Sequence, residues 1–325
     1  MNEFALIRQY FQRELPASTR SGIGLGIGDD CALLAPLPGE QIAVSTDTLV
    51  EGRHFFADVD PHALGHKALA VNLSDLAAMG AKPLGCLLAL TLPVERASDD
   101  RWMAGFSAGL LDLAMRFECP LIGGDTTRGP LTIGVTVLGS VASARALRRS
   151  GAGVDDDLWV SGTLGDAAFA LQALQGTLDD PASHAAATAL RERLERPQPR
   201  VALGLELAGL ATSAIDLSDG LAGDLAHVLR ASAAGAVIDL ESIPMTGALR
   251  ALDPAQALRL ALAGGDDYEL CFTARAVDRE RIVAAAKRSA TAVGKIGRIV
   301  AQPGIVWRSD GTAIPLDLDG HDHFR

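Results

Sequence analysis

The 325-residue sequence is poor in aromatic side chains, which make up 4% of it, with only two tyrosines. With 48% hydrophobic residues, its cores have to be built from Ala, Leu, Val and Ile. Cys31, Cys86, Cys119 and Cys271 are far apart and form no C-x-x-C pair, so they read as buried, reduced thiols rather than a redox or metal motif. Cations are in deficit: 29 Lys and Arg against 40 Asp and Glu leave a formal net charge of −11. That excludes nucleic acid or an anionic membrane surface as the natural partner. No apolar run reaches bilayer-spanning length. The N-terminal stretch 1–11 is amphipathic and charged, unlike a signal peptide, so a cytoplasmic protein is expected. No G-x-x-x-x-G-K-[ST] occurs, which excludes a P-loop. No Ser-His-Asp or Cys-His arrangement stands out as a nucleophilic centre.

The length suits two domains. The pattern predicts helices over 3–15, 61–79 and 98–117 and strands over 42–49, 84–92, 119–122 and 131–141. A polar, glycine-containing stretch at 145–157 then marks the boundary, giving domains 1–148 and 149–325. The second half predicts strands near 157–160, 236–240, 268–273 and 292–300, and a strand over 214–220 that ends in a turn. Its helices are expected at 164–176, 182–195, 200–209, from that turn to 231, at 255–263 and at 276–289. Such alternation makes the fold α/β, with α+β character.

The stretch 68–80, Ala-Leu-Ala-Val-Asn-Leu-Ser-Asp-Leu-Ala-Ala-Met-Gly, ends a helix that starts at Pro61 and stops at Gly80. Asp75 shares a face with Leu64, Ala68, Val71 and Ala78 and has no cation one turn away. A carboxylate on an apolar face needs a partner or a proton. A distant Lys or Arg, backbone N–H groups or a metal ion would each serve.

Other acids favour the metal. Asp29 and Asp30 follow a glycine-rich run at 22–28, Asp47 lies in Val-Ser-Thr-Asp-Thr, and Asp125 follows Gly123 and Gly124. These are expected at strand ends or turns, flanked by small residues, where converging carboxylates suit hard cations such as Mg²⁺. Gly123 and Gly124 also free backbone N–H groups for an anion. Arg149 could clamp a phosphate in a fork, although spacing alone favours a solvated surface arginine. Asp216 and Asp219 flank Ser218 where a strand opens into a helix, a place where Ser218 or Asp219 could simply be the N-cap. Gly264-Gly-Asp-Asp-Tyr-Glu269 is a second glycine–acid turn. His54, beside two phenylalanines, reads as structural, and His321 and His323 fall in the C-terminal tail.

Six stretches occur together in order: Gly26-Ile-Gly-Asp-Asp-Cys-Ala32, Ser45-Thr-Asp-Thr-Leu49, 68–80, Gly123-Gly-Asp-Thr-Thr-Arg128, Ile215-Asp-Leu-Ser-Asp-Gly220 and Gly264-Gly-Asp-Asp-Tyr-Glu-Leu270. This set resembles the motifs of the thiamine-monophosphate kinase family, within the aminoimidazole-ribonucleotide-synthetase-like superfamily. The resemblance implies an N-terminal sheet domain forming the core of a homodimer and a C-terminal α/β domain, with ATP between them. It implies ATP and thiamine monophosphate as substrates. Asp30, Ser45, Thr46, Asp47, Asp75, Asp125, Asp216 and Asp219 would be Mg²⁺ ligands, with Asp30, Asp47, Asp75 and Asp125 carrying catalysis. Gly124, Asp125, Arg149 and Ser218 would contact the nucleotide. His54, Asp266 and Leu318 would contact the acceptor. Two positions depart from the family pattern: Asp266 stands where Glu is frequent, and Leu318 where an aromatic is common.

Overall fold

A computed structural model describes residues 7–12, 23–25, 33–34, 38–178 and 180–316. Asp29, Asp30, Cys31, Leu318, His321 and His323 lie outside the described residues. The chain forms two compact units, residues 1–76 with 81–143 and residues 77–80 with 144–325.

The first unit is built on a four-stranded sheet of β3 (Glu40–Val50), β6 (Thr132–Ala142), β4 (Lys82–Leu92) and β5 (Leu121–Arg128), in that spatial order. The pairings are antiparallel except for the parallel β4–β5 edge. A short ribbon of β1 (Ile23–Leu25) and β2 (Leu33–Leu34) stands apart. Along β4 and β6 burial alternates: Cys86, Leu88, Leu90, Ile133, Val135 and Val137 are buried on one face. Helix α1 (Pro61–Ala78) covers that face, its start held by Asp60, whose Oδ1 accepts from Ala63 N at 2.9 Å. The chain then passes through a short helix, α2 (Val94–Ala97), into α3 (Asp100–Arg116). Helix α3 crosses α1 at Gly65 and Gly109, where a Cβ on either glycine would run into the other helix's backbone carbonyl. Much of the scarce aromatic content is spent here. Trp102 stacks on Phe106 at 5.3 Å, Phe11 meets Phe106 edge-on, and Tyr10 Oη donates to Asp100. The other face of the sheet shows Val44, Leu87, Ala89, Thr136 and Leu138, with Val44 62% exposed.

The second unit carries a seven-stranded sheet ordered β13-β12-β9-β11-β7-β10-β8. In chain order its elements are β7 (Asp157–Ser161), α4 (Asp166–Leu174), α5 (Pro181–Ala189), α6 (Arg191–Glu195), α7 (Val201–Leu207), β8 (Ser213–Leu217), α8 (Leu221–Ser232) and β9 (Gly235–Asp239). Then come α9 (Gly247–Arg250), α10 (Pro254–Ala263), β10 (Glu269–Ala274), α11 (Arg279–Arg288), β11 (Val293–Val300), β12 (Gly304–Ser309) and β13 (Thr312–Ile314). Its core is aliphatic, with Leu158, Val160, Ile215, Leu217, Leu225, Ile238, Ile296 and Ile299 packed together.

An ion network threads this core. Glu269, fully buried, accepts from Ser161 Oγ at 2.5 Å, Arg193 Nη2 at 3.0 Å and both Nε (2.6 Å) and Nη2 of Arg200. Gly162 has φ +58°, and a Cβ there would collide with the Glu269 carboxylate. Asp267 accepts from Gly165 N through both oxygens, at 3.1 and 2.9 Å. Asp166 is held by Thr163 and Thr246 and lies 3.7 Å from Arg193 Nε. Burial works against the charge on Arg193, but Glu269, Asp267 and Asp166 outweigh it and raise its pKa.

Most expected elements form, with informative differences. The expected helix over 3–15 is described only as a helical turn, Ile7–Phe11. The helix expected over 182–195 breaks at Leu190 into α5 and α6. Strands β12 and β13 were not anticipated, because they are short runs hemmed in by turn residues at 302–304 and 309–311. Asp47 and Asp125 were expected at strand ends or turns, and both lie inside strands. Gly123 and Gly124 mislead as turn markers. A Cβ at Gly124 would run into the Leu88 backbone, so glycine lets β5 pair with β4.

Replacing Glu269 by Gln leaves two buried-end guanidiniums without their shared carboxylate. The expected loss is about 3 kcal/mol of unfolding free energy, the usual consequence of removing one partner of a buried ion pair. Urea denaturation measures it; a loss below about 1 kcal/mol would show that the network contributes little.

Candidate active site

In the first unit the expected site residues gather where β3 meets α1. Ser45 Oγ donates to Asp75 Oδ2 at 2.5 Å. Asp47 N donates to Asn72 Oδ1 at 3.0 Å, while Asn72 Nδ2 donates to Ala68 O, so a buried asparagine ties strand to helix. Asp75 therefore has a hydroxyl partner, and it sits half-buried at the edge of the apolar face. Asn72, fully buried, was overlooked; its signal was an amide one turn before Asp75, set among Ala, Leu and Val.

Thr46 alternates with these residues. Its hydroxyl donates to Val135 O and accepts from Thr136 Oγ1, on the opposite face from Ser45. The side chain is thus not brought to Asp75. Asp125 stands elsewhere again. Asp47 pairs with Val135, Val135 with Leu88, and Leu88 with Gly124, so Asp47 and Gly124 share one row on the two edge strands. Three inter-strand spacings put their backbones roughly 14 Å apart. Among the described residues no three His, Cys, Asp or Glu side chains form a ready cage for a metal ion. Mg²⁺ does not require one, since it keeps waters and is completed by substrate phosphates. The donor set on hand is all oxygen, carboxylate and hydroxyl, which fits that hard cation.

His54 sits in a tight turn closing β3. Its Nδ1 accepts from Val50 N at 3.0 Å, and His54 N donates back to Val50 O. A backbone N–H aimed at Nδ1 means that the neutral ring carries its proton on Nε2. Lys67, buried on α1, donates to His54 O at 3.5 Å.

In the second unit the two acid motifs meet through their backbones. Asp266 N donates to Ser218 O at 2.9 Å, and Tyr268 N donates to Leu217 O at 2.8 Å. Asp216 is buried inside β8, opposite Leu270 of β10. Neither Ser218 nor Asp219 caps α8, as the simpler reading allowed. That helix starts at Gly220, with φ +100° and no side-chain cap. Instead Asp224, which was not anticipated, accepts from both Ser218 N and Asp219 N at 3.0 Å and fixes the loop from beneath. Its clue was an acid in the first helical turn. Burial, aided by the charge of Asp219, pushes the Asp224 carboxyl up to about 7, against the opposing backbone N–H bonds and Arg149. Arg149 thus sits within electrostatic reach of the Asp219 loop. Its carbonyl accepts from Ser232 Oγ, which also receives Gly151 N and Ala152 N.

Comparison with known proteins gives the chain a family. The AIR synthase related protein N-terminal domain matches residues 28–141, and the corresponding C-terminal domain matches 153–308. The chain is 48% identical to the thiamine-monophosphate kinase of Escherichia coli (strain K12) over 324 residues, covering 99% of this chain and 98% of that one. The crystal structure of thiamine-monophosphate kinase from Stenotrophomonas maltophilia K279a superposes with a TM-score of 0.84 at 46% identity, covering 97% and 98%. A structure of AaThiL complexed with AMPPCP and TMP superposes with a TM-score of 0.74 at 28% identity, covering 89% of each chain. The expected two-domain fold and its kinase family are both met in these likenesses: the chain belongs to the thiamine-monophosphate kinases of the AIR-synthase-related family.

Proposed function

We propose that the chain transfers the γ-phosphoryl group of ATP to thiamine monophosphate, giving thiamine diphosphate and ADP, by direct in-line displacement assisted by several Mg²⁺ ions. The observation that carries this is the near-full-length likeness to thiamine-monophosphate kinases, one of them a structure with AMPPCP and TMP. Asp47 and Asp75 with Ser45, Asp125 on its own edge strand, and Asp216 and Asp219 are the residues we assign to Mg²⁺. Their spread over separate strands favours several ions over one. When bound, Mg²⁺ would neutralise the approaching phosphates and the charge that develops in transfer. Gly124, Arg149 and Ser218 are assigned to the nucleotide, and His54 and Asp266 to the acceptor.

The protein's own part is positioning. Asn72 and Ser45 hold Asp47 and Asp75 against each other's elements. Asp224 holds the Ser218–Asp219 backbone. The acceptor is a phosphate monoester, ionised near neutral pH because its second pKa is about 6, so no general base is required. The described cysteines offer no nucleophile. Cys86, Cys119 and Cys271 are buried; a contact with Cys86 and then burial push the Cys119 thiol up, and burial does the same for Cys271.

ADP release that requires both Mg²⁺ and thiamine monophosphate is the direct test of the activity; release without acceptor would indicate a hydrolase instead. Asp75→Asn keeps an acceptor for Ser45 but removes the charge. It should lower kcat about a hundredfold, equivalent to roughly 3 kcal/mol, with an unchanged melting temperature. Near-normal turnover of that variant would refute the assignment of Asp75.

The exposed face of the four-stranded sheet, with Val44, Leu87, Ala89 and Leu138, is the surface we assign to homodimer formation. Light scattering at micromolar concentration should give twice the 33.8 kDa chain mass; a monomer mass rules the dimer out. Direct transfer should also invert configuration at phosphorus in a chiral γ-thiophosphate. Retention, or label left on the protein by γ-labelled ATP alone, would point to a covalent intermediate. No helix among the described residues is long and apolar enough to cross a membrane, and we place the reaction in the cytoplasm.

A further inference from the structure

The loop between α10 and β10 alternates in burial. Asp267 and Glu269 are buried, while Asp266 and Tyr268 keep partial solvent access. The inward pair is anchored as described, Asp267 on Gly165 N and Glu269 on Ser161, Arg193 and Arg200. The outward pair is held in an unusual backbone conformation, with φ +66° at Asp266 and +49° at Tyr268. Neither is a glycine, and a bulky aromatic at positive φ is a genuine outlier. Such conformations persist where the surroundings over-determine them, and they concentrate at ligand sites. The main chain of both residues is further pinned to β8 and its loop, Asp266 N on Ser218 O and Tyr268 N on Leu217 O.

Tyr268 is also distinguished by composition. The second unit's other described aromatics, Trp159, Phe169, Phe272 and Trp307, are all buried. Tyr268 alone among them is not buried; in the first unit Phe56 and Phe117 are the described aromatics that keep comparable access. It stands two residues from a half-exposed carboxylate. A carboxylate beside an aromatic ring is the combination that recognises an organic cation, the charge answered by the acid and the flat face by the ring.

We propose that Tyr268, together with Asp266, forms the seat for the positively charged thiazolium ring of the acceptor and sets the preference for a cationic heterocycle. This rests on the kinase reading above, and it adds to that reading a residue and a reason for specificity. The ring supplies a face that attracts the delocalised cation, and the anchored Asp267 and Glu269 behind it keep that face from folding inward. The nucleotide makes no demand on this pair, so the effect belongs to the acceptor alone.

The test uses the full-length protein with Mg²⁺ and ATP. Wild-type turnover of thiamine monophosphate establishes the kinase reading; its absence would refute that reading and the proposal with it. Given turnover, Tyr268→Leu should raise the acceptor KM about five- to thirtyfold with the ATP KM unchanged. Tyr268→Phe, which keeps the ring, should stay within about threefold of wild type. In wild type, thiamine should compete with the acceptor about tenfold better than deazathiamine, its neutral thiophene isostere, and Tyr268→Leu should erase that margin. An unchanged acceptor KM in a folded Tyr268→Leu would overturn the proposal while leaving the kinase reading intact. Should that variant fail to fold, the isostere comparison on wild type decides, and equal competition by the two compounds overturns the proposal.

Discussion

Each acid that a strongly acidic chain takes into its interior has to be neutralised there, and the means differ from site to site. Glu269 is answered by two guanidiniums and a hydroxyl. Asp267 is answered by a backbone N–H, which does not prevent burial from raising its pKa well above the ordinary range. Asp224 is answered by two N–H groups and still rises to about 7. These are structural acids, and their partners come from the protein. Asp47, Asp125 and Asp219 are instead left accessible or half-accessible along strands and loops, and Asp75 is met in the first unit by a hydroxyl that carries no charge. An acid sealed in the core takes its partner from the protein, whereas one that keeps access to solvent can take an ion from it; Asp216, buried in β8 and assigned to Mg²⁺, departs from that division.

That division was only partly legible beforehand. The α1 helix was read nearly to its observed ends, because proline, apolar periodicity and a terminal glycine agree with one another. The acids we assign to Mg²⁺ stood out because they sit beside glycines and hydroxyls. The structural acids did not, because their partners are distant in sequence: Ser161 and Glu269 are 108 residues apart, and Arg200 and Glu269 are 69 apart. No local pattern reports a contact of that kind. Local similarity also misleads. Asn72-Leu-Ser-Asp75 and Asp216-Leu-Ser-Asp219 are almost the same string, yet the first lies within a helix and the second runs from a strand into a loop. Tertiary pairing decides between those outcomes, since each string accepts either conformation.

The buried ion network has a role that its net stability alone does not explain. Ion pairs in an apolar core are weak evidence of stabilisation, because desolvation offsets most of their attraction. Aliphatic side chains would fill the same space without that cost. What they would not do is fix direction. A carboxylate with four donors around it has one acceptable orientation, and so does a carboxylate straddling a single N–H. With Asp267 and Glu269 both fixed in this way, the intervening Tyr268 and the preceding Asp266 are left with little choice of φ and ψ. Two non-glycine residues at positive φ cost on the order of 1–3 kcal/mol each. That strain is sustained only if relaxing it would break the bonds on either side. The network therefore acts as a clamp: it converts buried electrostatics, of small net value to the fold, into a rigid display of one acid and one ring.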